Sequence, residues 1–357
     1  MKKSRWKTVL AMISLALVAG VSLYATAYRA SGCLPLSEDA ALLAGRLRFI
    51  NGSFSAPTES DKKAPTEVSE KHKVKKPLAD TPTQSSESAE RPQNYNHTGA
   101  SYPVVETSVT NGTETYENIN IRNTTDFPLD PEALLSTKLP FDIKDNHSVQ
   151  VLIYHTHTCE SYLPEDTGEY YEDFYPRSTD PDQGVMSVGE KLVDTLREKG
   201  IGAVHDSTLH DYPSYEGSYA RSWDTISNYA EKYPDIKITI DLHRDSMTAQ
   251  DGTKYKPTFT YNGQKAAQIM IMTGYDTSGD FPFWDENLIF AMQLQKKCED
   301  MYPGMTRPLN FGEYVYNMNF NNGSLLIEVG TDANTPEEAC RTGEYLANAL
   351  SSLLQNK

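Results

Sequence analysis

Short apolar segments alternate with helical patterns between Leu129 and the carboxyl terminus, and this alternation limits the possible folds more than any other feature of the chain. The segment 185–199, for example, has apolar residues at helical spacing and is followed by Gly200, a residue type that commonly ends helices. We interpret the apolar segments as strands (149–154, 201–205, 236–242, 265–273 and 324–329) and the others as helices (185–199, 215–232, 286–300 and 336–354). Strands that are apolar on both faces and alternate with helices are typical of an α/β fold with a mostly parallel sheet and helices on both faces.

The first thirty residues carry a targeting signal. Basic residues at positions 2, 3, 5 and 7 precede the uncharged, mostly apolar run 8–28, which has about the 20 residues that a helix needs to cross a bilayer. Because basic residues favour the cytoplasmic side, we predict a cytoplasmic basic segment and a single transmembrane anchor over residues 1–30, with the rest of the chain outside the cytoplasm. Cleavage after the segment 25–27 and lipidation at Cys33 are the two alternatives.

The composition changes after the anchor. From residue 51 to about residue 124, Ser, Thr, Pro, Glu, Lys and Asn dominate, and the run 59–96 has no periodic apolar face. Such a sequence cannot bury enough apolar surface to offset the entropy lost on ordering it. We therefore predict a largely disordered, extracytoplasmic linker over residues 31–128 and one folded domain over residues 129–357. A tether of this length suits an immobilised substrate, although a passive spacer would have the same composition.

Charge and cysteine content exclude some classes of protein. The chain has 33 Lys and Arg against 49 Asp and Glu, a formal net charge of -16, so most of its surface repels a polyanion and we predict no nucleic-acid partner. The four cysteines, at positions 33, 159, 298 and 340, form no CxxC pair. Their spacing therefore argues against a disulfide framework and against a cysteine-based zinc site.

Polar residues gather at the ends of three predicted strands. The segment 155–160 (HTHTCE) follows strand 149–154, the segment 243–246 (HRDS) follows strand 236–242, and Glu328 lies within the last apolar strand. These segments contain three of the eight histidines of the chain. Ligands of open α/β sheets bind outside the carboxyl ends of the strands, so we predict that these polar groups meet in a functional site at that edge.

The spacing of His157 and Glu160 lets an imidazole and a carboxylate from one turn reach the same point, and His243 supplies a third ligand from another strand end. Three N or O ligands with an open fourth position are the arrangement of catalytic zinc. We therefore predict Zn²⁺ bound by these three residues. In the alternative interpretation, His155 and His157 only bond the backbone of their loop, and Glu328 is a buried, paired carboxylate.

This set of residues predicts amide hydrolysis. Zinc lowers the pKa of bound water and polarises a carbonyl, and a nearby carboxylate can take the water's proton and return it to the leaving nitrogen. Glu328, which comes from a different strand than the ligands, is the candidate base. Arg244 or His155 is a candidate to stabilise the oxyanion or to orient a ligand. For Arg244, a salt bridge to Asp245 or Asp241 is an equally good interpretation.

Three segments together resemble the stage II sporulation protein P family of endospore-forming bacteria: 153–162 (IYHTHTCESY), 241–246 (DLHRDS) and 326–330 (LIEVG) with 334–339 (NTPEEA). The resemblance covers about Leu129 to Leu354 in the same order, and the single anchor and variable linker also fit. The third segment is similar to zinc N-acetylmuramoyl-L-alanine amidases, whose last strand carries a catalytic Glu. The resemblance therefore implies that residues 129–357 are a zinc amidase-like catalytic domain.

The resemblance also implies a function. Members of this family are membrane-anchored peptidoglycan hydrolases that cleave the bond between N-acetylmuramic acid and the stem peptide, and also peptide cross-links, with the stage II sporulation proteins D and M during forespore engulfment. The resemblance favours His157 over His155 as a zinc ligand. It leaves Asp182 or a water molecule as the alternative to Glu160. A zinc carboxypeptidase and a non-catalytic, wall-binding scaffold are the rival interpretations.

Overall fold

The computed structural model describes residues 99–144 and 148–355. The predicted anchor and residues 31–98 of the predicted linker lie outside these residues. Within the described ranges, no helix combines the length and the apolar character that crossing a bilayer requires.

Strands and helices alternate through most of the described chain, as the sequence pattern predicts. The strands are β1 (Ser101–Thr107), β2 (Glu114–Tyr116), β3 (Ile119–Asn123), β4 (Val151–Tyr154), β5 (Glu169–Tyr171), β6 (Ala203–His205), β7 (Ile238–Asp245), β8 (Lys254–Tyr261), β9 (Gln264–Ala267), β10 (Ile269–Gly274), β11 (Leu309–Gly312) and β12 (Ser324–Thr331). The α-helices are α1 (Pro131–Ser136), α2 (Val185–Glu198), α3 (Ser218–Lys232), α4 (Trp284–Met301) and α5 (Pro336–Gln355), and short 3₁₀ helices span Pro181–Gln183 and Met318–Phe320.

The larger sheet has the strand order β2-β3-β11-β10-β12-β7-β4-β6. Strands β12, β7, β4 and β6 are parallel neighbours, but β10 runs antiparallel to β12, and β2 runs antiparallel to β3. The sheet is therefore mixed, and the prediction of a mostly parallel sheet is wrong. A parallel strand needs a crossover connection, usually a helix, whereas the chain between β7 and β10 forms the strands β8 and β9.

The segment 265–273, predicted as one strand, divides at Gln268. Strand β9 belongs to a second sheet of order β5-β1-β8-β9, and β10 belongs to the larger sheet. The buried Gln268 side chain accepts a hydrogen bond from Val109 N at 2.7 Å and donates one to the Gly304 carbonyl at 2.9 Å. These bonds satisfy its polar atoms at the point where the chain leaves one sheet for the other.

Three strands precede residue 129, where the sequence interpretation placed a disordered linker. Strand β3 pairs with β11, and its residues Ile119 and Ile121 are fully buried while Asn120 and Arg122 alternate with them. Strand β1 pairs with β5 and β8. For residues 99–128 the linker prediction is therefore wrong, because these short strands become stable only by pairing with distant segments.

Helices cover both faces of the sheet at β4. Val151 and Ile153 pack in the main core, which also contains the apolar residues of α2, α4 and α5. Leu152 and Tyr154 point to the opposite face and pack with Ile226 of α3. This alternation follows from the period of two residues in a strand, and the residues that follow β4 are buried between the two layers.

Candidate functional site

The three strand ends singled out in the sequence lie side by side. Strands β12, β7 and β4 are consecutive in the sheet and parallel, so their carboxyl ends face the same edge. Glu328 of β12 lies directly opposite His243 of β7, and Asp241 of β7 lies opposite Tyr154, the last residue of β4. The topology thus gathers the polar groups that the sequence scatters over 170 residues or so.

His243 is the centre of this cluster. Its Nδ1 lies 3.4 Å from Glu160 Oε2, and its Nε2 lies 2.8 Å from Asp241 Oδ1. The contact between Nε2 and Asp241 Oδ1 does not have the geometry of a hydrogen bond. This buried nitrogen therefore forms an ion pair but has no hydrogen-bond partner. Burial opposes the charged imidazolium, yet Asp241 and then Glu160 raise the pKa of His243 well above its ordinary value.

Glu160 is a buried carboxylate that stays ionised. Its Oε2 accepts a hydrogen bond from the Arg244 backbone N–H at 3.0 Å, beside the contact with His243. Burial raises the pKa of Glu160, but the positive charges of Arg244 and His243 outweigh burial and lower it. Asp182, the alternative ligand, is exposed in the turn before α2. Of the two candidate ligands, Glu160 rather than Asp182 therefore lies next to His243.

His157 lies beside His243, with ring centroids 5.2 Å apart and the rings nearly perpendicular. Its nitrogens face the segment 211–218 instead: Nε2 accepts from the Tyr215 hydroxyl at 2.9 Å, and Nδ1 lies 3.4 Å from Ser218 Oγ. Burial lowers the pKa of His157, although Glu160 opposes this effect. The imidazole is thus a neutral acceptor and has the protonation state that metal binding requires.

His155 is fully buried and contacts a different partner. Its Nδ1–H donates to the Leu242 carbonyl at 2.7 Å, and its Nε2 lies 2.8 Å from Nε2 of His205. Burial and then His205 lower the pKa of His155 to about 3, so the ring is neutral and His205 donates the proton between the two nitrogens. His155 therefore reaches the site through the backbone carbonyl of the residue that precedes His243.

Glu328 has surroundings opposite to those of Glu160. Its Oε2 is buried and has no hydrogen-bond partner. Burial, and next the charge of Asp245, raise the pKa of Glu328 to about 8, while His243 and Arg307 oppose the shift. A carboxyl group with this pKa exchanges its proton near neutral pH, which is what acid–base catalysis requires.

Arg244 fixes the loop after β4. Its Nε donates to the Ser161 carbonyl at 3.1 Å, and its Nη2 donates to the Pro176 carbonyl at 2.7 Å. Neither proposed salt-bridge partner takes its guanidinium: Asp245 pairs with Arg307 at 2.8 Å, and Asp241 accepts from the backbone and the hydroxyl of Thr156. Arg244 therefore orients the chain around Glu160, whose carboxylate it also stabilises electrostatically.

The candidate ligands suit zinc by chemistry. Two imidazoles and a carboxylate are typical donors of a catalytic zinc site, and Nδ1 of His243 lies 3.4 Å from Glu160 Oε2 while its Nε2 faces Asp241. In residues 99–144 and 148–355, however, no three His, Cys, Asp or Glu side chains converge on one point in a way that could hold a metal ion. His157, Glu160 and His243 are neighbours, but the nitrogens of His157 point toward Tyr215 and Ser218.

Several residues of the site were missed by sequence reasoning. Asp241 stands two residues before His243 and so on the same face of β7, a spacing that could have identified it. Asp211 accepts from the Cys159 backbone N–H at 3.1 Å and pairs with Arg177, and Tyr215 contacts His157. Asp211, Arg177 and Tyr215 lie in irregular segments outside the helices and named strands, and Tyr215 precedes the actual start of the helix predicted over residues 215–232.

The fold and these side chains define a mixed α/β domain that carries paired carboxyl and imidazole groups at the carboxyl ends of three parallel strands. The chain belongs to the stage II sporulation protein P family, whose model matches residues 38–351. It is 31% identical over 222 residues to stage II sporulation protein P of Bacillus subtilis (strain 168), a match that covers 57% of this chain and 50% of that protein. The chain thus spans about half the length of this curated relative.

Two solved amidase structures show a low degree of similarity to this chain. The N-acetylmuramoyl-L-alanine amidase AmiC2 of Nostoc punctiforme is 13% identical, and the match covers 59% of this chain and 96% of that chain, with a TM-score of 0.35. An N-acetylmuramoyl-L-alanine amidase from Clostridium difficile 630 is 17% identical, with 59% and 100% coverage and a TM-score of 0.34. Likenesses of this level carry no functional argument.

Proposed function

We propose that this chain is a peptidoglycan hydrolase of sporulation that cleaves amide bonds. The observation that carries the proposal is the pair of carboxyl groups around His243: Glu160 is held ionised, whereas burial raises the pKa of Glu328 to about 8. Such a division suits one carboxylate for binding a cation and the other for moving a proton. Membership of the stage II sporulation protein P family supports the choice of substrate.

In this proposal, His157, Glu160 and His243 would hold a zinc ion. When bound, zinc acts as a Lewis acid that makes water more acidic and a carbonyl more electrophilic. The contacts of His243 with Glu160 and of the His157 ring with the His243 ring support the choice of these ligands. The Tyr215 and Ser218 hydroxyls would have to release the His157 nitrogens.

Glu328 moves the proton. As carboxylate it accepts a proton from the attacking water, and as carboxylic acid it returns that proton to the amide nitrogen that leaves. Its buried Oε2 has no hydrogen bond to break before this transfer. A nearby cation would lower its pKa from about 8 and so make the basic form available at neutral pH.

His155 and Arg244 act as positioning residues. The bond from His155 to the Leu242 carbonyl ties the end of β4 to the backbone just before His243. The Arg244 guanidinium holds two carbonyls of the loop that carries Glu160. Direct oxyanion stabilisation by Arg244 would require it to exchange these carbonyls for substrate.

The finer features of the proposal follow the family. The scissile bond is the amide between N-acetylmuramic acid and L-alanine, with stem-peptide cross-links as a second target, and the biological setting is forespore engulfment together with the stage II sporulation proteins D and M. The basic, apolar amino terminus supports a single-pass location in the cell membrane, at the septal and engulfing membrane, with the hydrolase domain outside the cytoplasm.

Mass spectrometry of muropeptides released from purified walls tests this function. The wild-type chain should release free stem peptides. Glu328→Gln should reduce this release roughly 10²–10⁴-fold, because the side-chain amide that replaces the carboxylate cannot take up a proton. Glu198→Gln, an exposed change at the end of α2, is the matched control and should retain activity. Shortened stem peptides that stay bound to glycan would indicate a carboxypeptidase, and wall binding without any product would indicate a scaffold.

A further inference from the structure

Exposed aromatic rings are concentrated beside the candidate site. The large hydrophobic side chains exposed in the described part of the chain are Val105, Tyr175, Tyr212, Tyr215, Trp223 and Val315. All except Val105 lie in the segments 174–178, 211–223 and 314–320. The first of these segments accepts a hydrogen bond from Arg244, the second contacts His157, and the third stacks on the second.

A row of rings runs outward from the site. Tyr215 stacks on His157 with centroids 4.5 Å apart, and Tyr219 meets the same imidazole edge-on at 5.6 Å. Tyr316 stacks on Tyr219, and Tyr314 stacks on Tyr316, both at 5.6 Å. The row therefore connects a candidate ligand to a surface built from two separate segments of the chain.

The two ends of this surface are held in place. At one end, the Arg177 guanidinium lies 5.0 Å above the Tyr215 ring and pairs with Asp211, which precedes Tyr212. At the other end, Tyr316 and Asn317 have φ values of 39° and 57°, a conformation that is rare outside glycine. Backbone strain of this kind persists where the placement of side chains matters.

The types of ring indicate the ligand. In the described residues, the exposed large hydrophobic set contains tyrosines, one tryptophan and two valines but no Leu, Ile, Met or Phe. Tyr and Trp have an apolar ring face, which packs against the C–H face of a sugar. They also have a polar tip, which forms hydrogen bonds with the hydroxyl groups of the sugar. A site that hydrolyses a glycan-linked amide would need to hold the sugars next to the reacting bond.

We infer that Tyr175, Tyr212, Tyr215, Trp223 and the half-buried Tyr316, here called the aromatic rim, together bind the glycan strand of peptidoglycan as a chain of N-acetylated amino sugars. This inference rests on the proposed function and extends it, because it assigns the residues that recognise the sugar part of the substrate. The rim begins at the Tyr215 contact with His157, so bound sugars would lead directly into the site.

Binding of separate substrate parts tests the inference. The full chain carrying Glu328→Gln, which prevents turnover, is titrated with oligomers of N-acetylglucosamine and, separately, with stem peptide free of glycan. Tyr175→Ala and Tyr212→Ala are the test variants, since their rings are 72% and 55% exposed and their removal leaves the core intact. Each should weaken oligosaccharide binding roughly 3- to 10-fold, as expected for loss of one stacking ring.

Two controls complete the design. Tyr233→Ala, at the far end of α3, should leave oligosaccharide affinity unchanged, and Tyr212→Phe should retain most of it because the ring face is kept. The inference would be overturned if the variant with both Tyr175→Ala and Tyr212→Ala kept the oligosaccharide affinity of the parent. It would also be overturned if the protein bound the stem peptide but not the oligosaccharide. Wall hydrolysis by the wild-type chain is measured in parallel. Sugar binding that depends on the rim, without wall hydrolysis, would refute the proposed function but not the binding role of the rim. Wall hydrolysis without rim-dependent sugar binding would refute the binding role of the rim but not the proposed function.

Discussion

Glu160 and Glu328 both interact with His243, yet their surroundings push their pKa values in opposite directions. Glu160 accepts the Arg244 backbone N–H and faces positive charge, which lowers its pKa despite burial. Glu328 has a buried oxygen without a donor, and burial raises its pKa to about 8. Opposite shifts in neighbouring carboxyl groups are how one site separates an ionised group from a proton carrier.

The raised pKa of Glu328 predicts a pH-dependent cost in stability. Between its unfolded value of about 4.5 and its folded value of about 8, the folded state binds a proton that the unfolded state does not, so stability falls as pH rises through this window. Glu328→Gln removes this titration. In metal-free protein, the variant should nearly match the wild type at pH 4.5 and exceed it by roughly 4 kcal/mol at pH 8.

Chemical denaturation of both proteins across this pH range, in the presence of chelator, measures the difference. Titrating groups distant from Glu328 cancel in the comparison, whereas Asp245, His243 and Glu160 interact with Glu328 and contribute to the difference. A difference that is constant with pH would show that Glu328 does not have a raised pKa.

The contacts of the two loop histidines predict distinct defects. His157→Ala should abolish zinc binding, because it removes a ligand. His155→Ala should retain stoichiometric zinc with roughly 10- to 100-fold weaker affinity, because His155 acts through the Leu242 carbonyl. Metal content by mass spectrometry and zinc affinity by chelator competition distinguish the two variants. Loss of zinc in His155→Ala and its retention in His157→Ala would make His155 the ligand.

The candidate residues could be named from sequence because they follow buried apolar strands, and a parallel arrangement brings such strand ends together. That argument identified His157, Glu160, His243 and Glu328. It could not identify His205, which bonds His155, because both partners of this bond had to be placed in adjacent strands first. Tyr215 was equally beyond reach, since the helix predicted over residues 215–232 begins only at Ser218, and Tyr215 lies in the irregular segment before it.

Helix α2 depends on a glycine for its packing against the strand ends. A Cβ atom at Gly189 would lie 2.7 Å from Nε2 of His205 and 2.8 Å from Nε2 of His155, closer than real Cβ contacts allow. Gly189→Ala should therefore destabilise the fold by about 1 to 3 kcal/mol through overpacking, although alanine favours helices. Glu190→Ala, one exposed position further along α2, is the control in denaturant unfolding and should be near neutral. Equal stability of both variants would contradict the close packing of the histidine pair.

Strand β3 makes a testable contribution at the edge of the larger sheet. A chain beginning at residue 99 keeps it, whereas a chain beginning at residue 125 loses the fully buried Ile119 and Ile121 and exposes the edge of β11. Each buried isoleucine contributes about 1.5 to 3 kcal/mol. The longer chain should be soluble and unfold cooperatively, and the shorter one should aggregate or melt at much lower temperature. Similar melting of the two would mean that residues 99–124 are dispensable.

Most elements after residue 129 were predicted correctly because their periodicity is strong over long segments, as in α2 and α5. The antiparallel direction of β10 was not predicted. Strand order and direction depend on the hairpin of β8 and β9, and the residues of this hairpin also suit a loop. The short strands β1 to β3 were missed for a related reason. Strands β1 and β3 pair with strands distant in sequence (β5, β8 and β11), and β2 pairs with β3. Local composition does not report such pairing.

At the scale of the whole molecule, the candidate site exists only in the folded chain. His157 and Glu160 lie on the loop after β4, His243 lies near the carboxyl end of β7, and Glu328 lies on β12. Their proximity therefore depends on sheet pairing between segments distant in sequence. A ligand that binds all of them binds the native state alone and must stabilise it. Zinc should therefore act on stability and on catalysis together, and the two effects can be measured independently.

We accordingly predict that the chain beginning at residue 99 binds about one zinc ion and melts at higher temperature with zinc than in chelator, by an amount equivalent to about 2.7 kcal/mol when free zinc is 100 times its dissociation constant. Wall-lytic activity should disappear in chelator and return with Zn²⁺ but not with Mg²⁺, which prefers oxygen ligands. Asp182→Asn should change neither property, because Asp182 is exposed and lies outside the cluster. Full activity in protein that holds no zinc would refute the metal hypothesis. Binding without restored activity would instead locate the error in the assignment of Glu328.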